Sequence, residues 1–265
     1  MTLDIQNLTL RFGGLTALNR VNIKAADGDL VAIVGPNGAG KTALLNCING
    51  VYRPSEGHIM LDGHDLTTVA VDKIALARVG RAFQHAELFP HMTVTENLLV
   101  GRHLLMRTGI FAGAFYFGRA RREEIDERRT IERIIDFFEL YRYRDTPAAS
   151  LPYGVQKLVG VARALALDPK LLLLDEPSTG LMREEKENFA RFLLRIRHEL
   201  KPTMLWVEHD MQMVTDLADR IVVLNYGEVI AEGTPDDVRQ NPKVIEAYLG
   251  NDDADGGQGS FTANA

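Results

Sequence analysis

The run Gly35, Pro36, Asn37, Gly38, Ala39, Gly40, Lys41 and Thr42 sets glycines, a lysine and a hydroxyl at the spacing of a phosphate-binding loop. Glycine lets the main chain curl until its N–H groups face one anion, and a helix N-terminus behind the loop adds partial positive charge. The apolar run Leu30 to Val34 precedes the loop and the helical stretch Ala43 to Asn49 follows it, which is the context the chemistry demands. Lys41 then reaches terminal phosphates and Thr42 offers its hydroxyl to Mg²⁺. The rival reading is a glycine-rich turn that happens to precede a helix. A second candidate is Leu171-Leu-Leu-Leu-Asp175-Glu176-Pro177, which puts two carboxylates at the C-terminal tip of a buried strand, where open α/β sheets hold ligands. Phosphoryl transfer needs such a pair: Asp175 for the water shell of Mg²⁺, and Glu176 to orient and polarise the attacking water. An acidic pair in that place is otherwise a solvated strand end; the loop at 35–42 favours the catalytic reading.

These residues need strands that feed helices. Short apolar runs at Leu30 to Val34, Leu171 to Leu174, Thr203 to Val207 and Ile221 to Leu224 alternate with helical patterns, which predicts an α/β fold with a mostly parallel sheet. Between Glu184 and Leu200 the residues Phe189, Phe192, Leu193, Ile196 and Leu200 form one stripe of an amphipathic helix. Near the N-terminus the pairs Leu3/Ile5, Leu8/Leu10 and Val21/Ile23 alternate with polar residues. Turns such as Asp62-Gly63 and Tyr226-Gly227 separate further short strands, so a smaller antiparallel sheet is expected to flank the parallel one. From about 86 to 164 the pattern becomes helical, with Ile131, Ile134, Ile135 and Phe138 behind the charged run Arg119 to Arg129. The expected organisation is a nucleotide-binding domain over 1–250. Its core lies at about 1–85 and 165–250, a helical subdomain is inserted at about 86–164, and 251–265 forms a disordered tail with little apolar to bury.

Composition bounds the rest. The chain has 265 residues, 46% hydrophobic and 25% charged, enough for a large core without staples. The lone Cys47, among Leu44, Leu45 and Ile48, reads as a buried small hydrophobe in a reducing compartment. Nothing resembles a signal peptide, and no run approaches the roughly 18 apolar residues of a membrane span, so a soluble cytoplasmic chain is expected. A net charge of -6 argues against nucleic acid as the main partner.

With further motifs the chain resembles the ATP-binding cassette family over about residues 3 to 250. The order of elements matches: Phe12, the loop at 35–42, Gln84, the segment Leu151-Pro-Tyr-Gly-Val-Gln-Lys157, the Asp175-Glu176 pair and His209. The resemblance implies a P-loop ATPase that binds ATP with Mg²⁺ and powers a transporter. It implies that Phe12 stacks on adenine, that Gln84 couples metal and water to the helical subdomain, and that His209 contacts the terminal phosphate. It also implies that Tyr153, Gly154 and Gln156 meet the ATP of an opposite ATPase subunit. Each role has a plainer rival: Phe12 as the last core residue of its strand, Gln84 as a solvated loop residue, His209 as a packed histidine.

Two motifs depart from the family. Pro152 stands where the signature serine would be and supplies no hydroxyl, while Tyr153 replaces a glycine; Met182 replaces a frequent aspartate. The Tyr-Gly signature, the insertion around 101–122 and the ending Asn-Pro-Lys-Val-Ile-Glu-Ala-Tyr-Leu-Gly250 resemble the ATPases of branched-chain amino-acid importers. That subgroup implies transmembrane permease subunits, a second ATPase subunit in a homo- or heterodimer and, indirectly, a substrate-binding protein as partners, at the inner face of the cell membrane. A lipopolysaccharide-type exporter ATPase and a nucleotide-dependent clamp with little hydrolysis are the alternatives. Glu87, Leu88, Phe89 and Pro90 are expected at the permease. The aromatic stretch 108–118, with flanking arginines, either touches the membrane side or packs inside the helical subdomain.

Overall fold

The computed structural model describes residues 3–84, 86–105 and 119–249. The stretch 108–118, expected either at the membrane side or packed inside the helical subdomain, and the tail 251–265, expected to be disordered, lie outside the described residues. Contacts divide the chain into two compact units, one holding the described residues up to Ile74 and from Leu193 onward, the other Ala75–Phe192.

In the first unit, β1 (Leu3–Phe12) and β2 (Leu15–Ala25) form a long hairpin. With β4 (Glu56–Leu61) and β5 (His64–Asp65) they make an antiparallel sheet in the order β2-β1-β4-β5. The alternation in β1 slips by one residue, because Leu3 and Ile5 are odd and Leu8 and Leu10 even. Asn7, at φ 48, takes up the slip as a bulge, and all four side chains end at most 2% exposed. Asp62 and Gly63, both at positive φ, close a two-residue turn between Leu61 and His64.

The same unit holds β3 (Leu30–Val34), which pairs in parallel with β8 (Thr203–Val207) on one side and β9 (Arg220–Asn225) on the other. β3 and β8 are buried throughout, as parallel strands covered on both faces must be. The Tyr226-Gly227 turn does not feed the small sheet, where it was expected. It returns β10 (Glu228–Gly233) antiparallel onto β9 and makes the larger sheet mixed. Helix α1 (Lys41–Ile48) follows β3, a single turn α2 (Val71–Ile74) ends the first segment, and α7 (Met211–Leu217), α8 (Pro235–Arg239) and α9 (Pro242–Leu249) complete the unit. Cys47 on α1 is buried, and burial pushes its thiol up to about 12, so it is inert packing.

In the second unit, β6 (Val79–Ala82) and β7 (Leu171–Asp175) pair in parallel from Val79 opposite Leu171 to Ala82 opposite Leu174. Helix α5 (Tyr153–Ala166) packs on both strands, and α3 (Val94–Arg102) and α4 (Arg119–Phe137) pack on α5 and on each other. Thr93 and Glu96 close a capping box at the start of α3. On α4, Ile131 and Ile135 are buried as the spacing predicts, and the next buried residue, Phe138, meets Phe192 with ring centroids 5.2 Å apart. The buried Glu127 pairs with Arg102 of α3.

One expected stripe is cut short. Helix α6 (Arg183–Arg195) buries Phe189 and Phe192, and Leu193 and Ile196 stay buried beyond them, but a π turn covers Ile196–Leu200 and leaves Leu200 53% exposed. A π turn spends an extra residue per turn, which rotates whatever follows off the helical stripe. The fold is thus α/β, with an antiparallel sheet, a mixed and mostly parallel sheet, and helices. No described helix is long and apolar enough to cross a membrane.

Candidate functional site

The glycine-rich loop leaves the end of β3 and enters α1 through Gly40, at φ 102. No side chain caps this helix and no acidic residue occupies its first turn, so its leading N–H groups and dipole remain available to an anion. Asn37, Gly38 and Thr42 are exposed, whereas Ala39 is buried. The loop's neighbours leave no room for a side chain at two of its glycines. A β-carbon on Gly35 would stand 2.0 Å from the Leu224 carbonyl, and one on Gly40 would stand 2.8 Å from the Ala17 carbonyl. The β9–β10 turn braces it, with Gly227 N–H donating to Ala39 O at 3.0 Å and Asn19 N–H donating to Gly227 O at 2.8 Å.

Lys41 is 5% exposed, and its ammonium donates to the carbonyls of Gly35 (2.7 Å) and Pro36 (2.9 Å). The charge is thereby stored inside the loop whose N–H groups would face a phosphate. A cradle that excludes β-carbons, an uncapped helix end and an enclosed ammonium together fit a polyphosphate. Phe12, at the end of β1, is 47% exposed and meets Tyr52 edge-on at 5.1 Å; it is not a core residue. His209 is exposed after β8. The buried Glu208 fixes its backbone by accepting the His209 N–H at 3.0 Å, and Asp210 caps α7.

In the second unit, β7 delivers Asp175 and Glu176 to its C-terminal end. Asp175 is buried, and its Oδ2 receives Arg81 of β6 at 2.6 Å. Glu176 takes a left-handed backbone, φ 45, which an ordinary side chain adopts only at a cost of roughly 1–2 kcal/mol. Its carboxylate accepts the Gln84 amide at 2.8 Å. Gln84 and Glu176, 92 positions apart, are therefore partners. The buried Lys157 donates to the Gln84 carbonyl, and Arg163 donates to the carbonyls of Glu87 (2.9 Å) and Ala86 (3.2 Å), so α5 grips the segment after Gln84. Desolvation lowers the Arg163 pKa from its ordinary value. Asn97, fully buried, bonds Phe89, Met92 and Thr93 and leaves Phe89 presented at 46% exposure.

The turn that starts α5 is only partly open. Pro152 and Tyr153 are exposed, but Gly154 is buried with the Glu185 carboxylate so close that a β-carbon would stand 2.3 Å from Oε1. The Tyr153 ring covers Gly180 and its hydroxyl donates to Thr179 O at 3.4 Å, while Gln156 donates its amide to Leu151 O at 2.9 Å. Met182 is 77% exposed. Sequence reasoning assigned no role to Arg81, Asn97, Lys157 or Glu185. Only Arg81 carried a signal, a charge inside the apolar strand Val79–Ala82.

Of the oxygen donors proposed for Mg²⁺, Thr42 sits exposed at the head of α1 and Asp175 at the end of β7, and both are of the hard type that ion prefers. Among the described residues no cluster of three or more His, Cys, Asp or Glu side chains forms a metal site by itself.

Residues 18–179 match the family model for the ABC transporter, and residues 228–254 match that for a branched-chain amino acid ATP-binding cassette transporter. The high-affinity branched-chain amino acid transport ATP-binding protein BraF of Pseudomonas aeruginosa is 41% identical over 248 residues, covering 94% of this chain and 97% of the relative. The solved ADP conformation of MJ1267, an ATP-binding cassette of an ABC transporter, superposes with a TM-score of 0.81 at 31% identity, over 94% of this chain and 99% of that one. The dimeric post-hydrolysis state of the cassette MJ0796, bound to ADP and Pi, gives 0.74 at 27% identity over 88% and 98%. The chain therefore belongs to the ABC transporter family, among its ATP-binding ATPases.

Proposed function

We propose that this chain is the ATP-hydrolysing subunit of a membrane importer for branched-chain or related amino acids. The observation that carries the substrate class is the match of residues 228–254 to the branched-chain model, at the end of a chain that BraF parallels nearly throughout. Residues 1–250 act as one nucleotide-binding domain, with a core at about 1–85 and 165–250 and a helical subdomain at about 86–164.

In this reading the loop N–H groups from Gly38 to Thr42 bind the phosphates, and Lys41 exchanges its carbonyl partners for phosphate oxygens. Phe12 stacks on the adenine with Tyr52 supporting its edge. Glu176 orients the attacking water, His209 contacts the terminal phosphate, and Gln84 reports the state of the Glu176 carboxylate to the segment gripped by α5. Mg²⁺ would be held by Thr42, Asp175 and Gln84 and would supply charge neutralisation on the phosphates.

The chain works as half of a dimer, in which Tyr153, Gly154 and Gln156 of one subunit face the ATP of the other, with Pro152 and Tyr153 the accessible part of that turn. Because Pro152 lacks the hydroxyl and Met182 the carboxylate of the usual pattern, the second ATPase subunit is a different chain. The loop that presents Phe89 docks on permease subunits. A substrate-binding protein delivers cargo from the far side, nucleic acid is not a partner, and the subunit sits in the cytoplasm on the inner membrane face.

The test is reconstitution of the complex in proteoliposomes with leucine and the binding protein. ATP hydrolysis should rise on adding leucine and vanish in Lys41→Ala. Hydrolysis indifferent to branched-chain amino acids sinks the substrate class; a Lys41→Ala complex that hydrolyses like the parent sinks the ATPase assignment to this loop.

A further inference from the structure

Asp175, the residue assigned to Mg²⁺, already has a cation beside it. Arg81 stands opposite Leu173 in the β6–β7 register, and its side chain runs forward to donate from Nη2 to Asp175 Oδ2 at 2.6 Å. The two side chains are only 5% and 7% exposed. Phe83, two residues further along the same segment, supports the guanidinium with its ring centroid 4.6 Å from the central carbon. An arginine in a protein does not give up its proton, so this charge is permanent.

The pairing is one-sided. Among the described residues Oδ2 takes the one hydrogen bond that reaches this carboxylate, and Oδ1 takes none. Asp175 therefore offers a metal a single oxygen and a partly offset charge, not a chelating pair. Divalent ions differ in how well that suits them. Mg²⁺ keeps several of its waters and is held by one or two carboxylates beside phosphate oxygens, whereas Ca²⁺ gathers roughly 6–8 oxygens and often takes a carboxylate through both.

We propose that Arg81 is a specificity-determining residue for the metal: by occupying Oδ2 it holds Asp175 to single-oxygen contact, which suits Mg²⁺ and denies Ca²⁺ a bidentate ligand. The selection is made by a side chain that is not itself an oxygen donor. This rests on the assignment of Asp175 to the metal that accompanies ATP.

The experiment measures, below each variant's melting temperature, the Kd of the full-length chain for a fluorescent ATP analogue with saturating Mg²⁺ and with saturating Ca²⁺. The proteins are the parent, Arg81→Met, Arg81→Lys and Asp175→Asn. Arg81→Met should favour Ca²⁺, the ratio of the Ca²⁺ Kd to the Mg²⁺ Kd falling about fivefold. Arg81→Lys keeps a charged donor and should stay within about twofold of the parent ratio. A residue that only supports the fold would change both Kd values alike. The proposal is thus overturned by an unchanged or raised ratio in Arg81→Met, or by an equal fall in Arg81→Lys, since a charged donor at this position then makes no difference. Should Arg81→Met not fold, a crystal of the parent with Ca²⁺ and ADP decides: Arg81 still on Oδ2 upholds the proposal, and Asp175 chelating Ca²⁺ through both oxygens overturns it. Failure of the metal assignment looks different: Asp175→Asn would leave both Kd values at those of the parent.

Discussion

Glu176 combines two features seldom spent on a solvated strand end: a left-handed backbone at φ 45 and a carboxylate held by the Gln84 amide at 2.8 Å. The strain sets where the carboxylate points, and the amide keeps it there. Substituting Glu176→Gln preserves the shape and removes the charge that polarises water. Steady-state ATPase should fall by at least about 100-fold while Mg·ATP affinity stays within about twofold, readable by phosphate release and titration. Gln84→Ala removes the holder and not the base, so kcat should fall about tenfold with little change in KM. Equal losses in both variants would contradict this division of labour. The residue types at these positions were legible in the sequence. Their pairing was not, since nothing in the order of the chain says which side chain meets a carboxylate 92 positions away.

At the scale of elements, the loop is held by neighbours as much as by its own glycines. Gly40 needs φ 102 and leaves no room for a β-carbon, while Gly38, at φ 77, has nothing within 4 Å of one. Gly38→Ala should therefore cost only the backbone strain, about 1 kcal/mol by urea unfolding. Gly40→Ala adds a backbone collision and should cost about 1–3 kcal/mol more. The ion pair between Arg81 and Asp175 joins β6 to β7 in a buried place, with both side chains at most 7% exposed. Arg81→Leu strands the carboxylate and should destabilise by about 3–5 kcal/mol in the same measurement. Periodicity located the strands and helices because burial imposes periods of 2 and 3.6. It could not show the bulge at Asn7, the π turn after Arg195 or the return of β10 onto β9, because these depend on which partner strand or neighbour wins the competition.

For the whole molecule, the exposed Pro152 and Met182 lack the hydroxyl and the carboxylate that the family places at those positions, and the proposed remedy is a different second ATPase subunit. The purified chain alone should then hydrolyse ATP well below the rate of the assembled transporter. Equal specific activity, measured by phosphate release at matched concentration, would remove the reason for invoking such a partner. Light scattering adds a check: with Mg·ATP, the Glu176→Gln chain should double its mass only when the second subunit is supplied.

The sequence by itself determined the class of chemistry and the fold, because a phosphate cradle, a strand-end acidic pair and alternating apolar runs are local patterns fixed by backbone geometry and burial. Tertiary structure alone decided that Gln84 holds Glu176, that Arg81 engages Asp175 and that Glu185 covers Gly154. Those contacts join residues far apart along the chain, and only the packing of the elements that carry them brings their polar atoms within bonding distance.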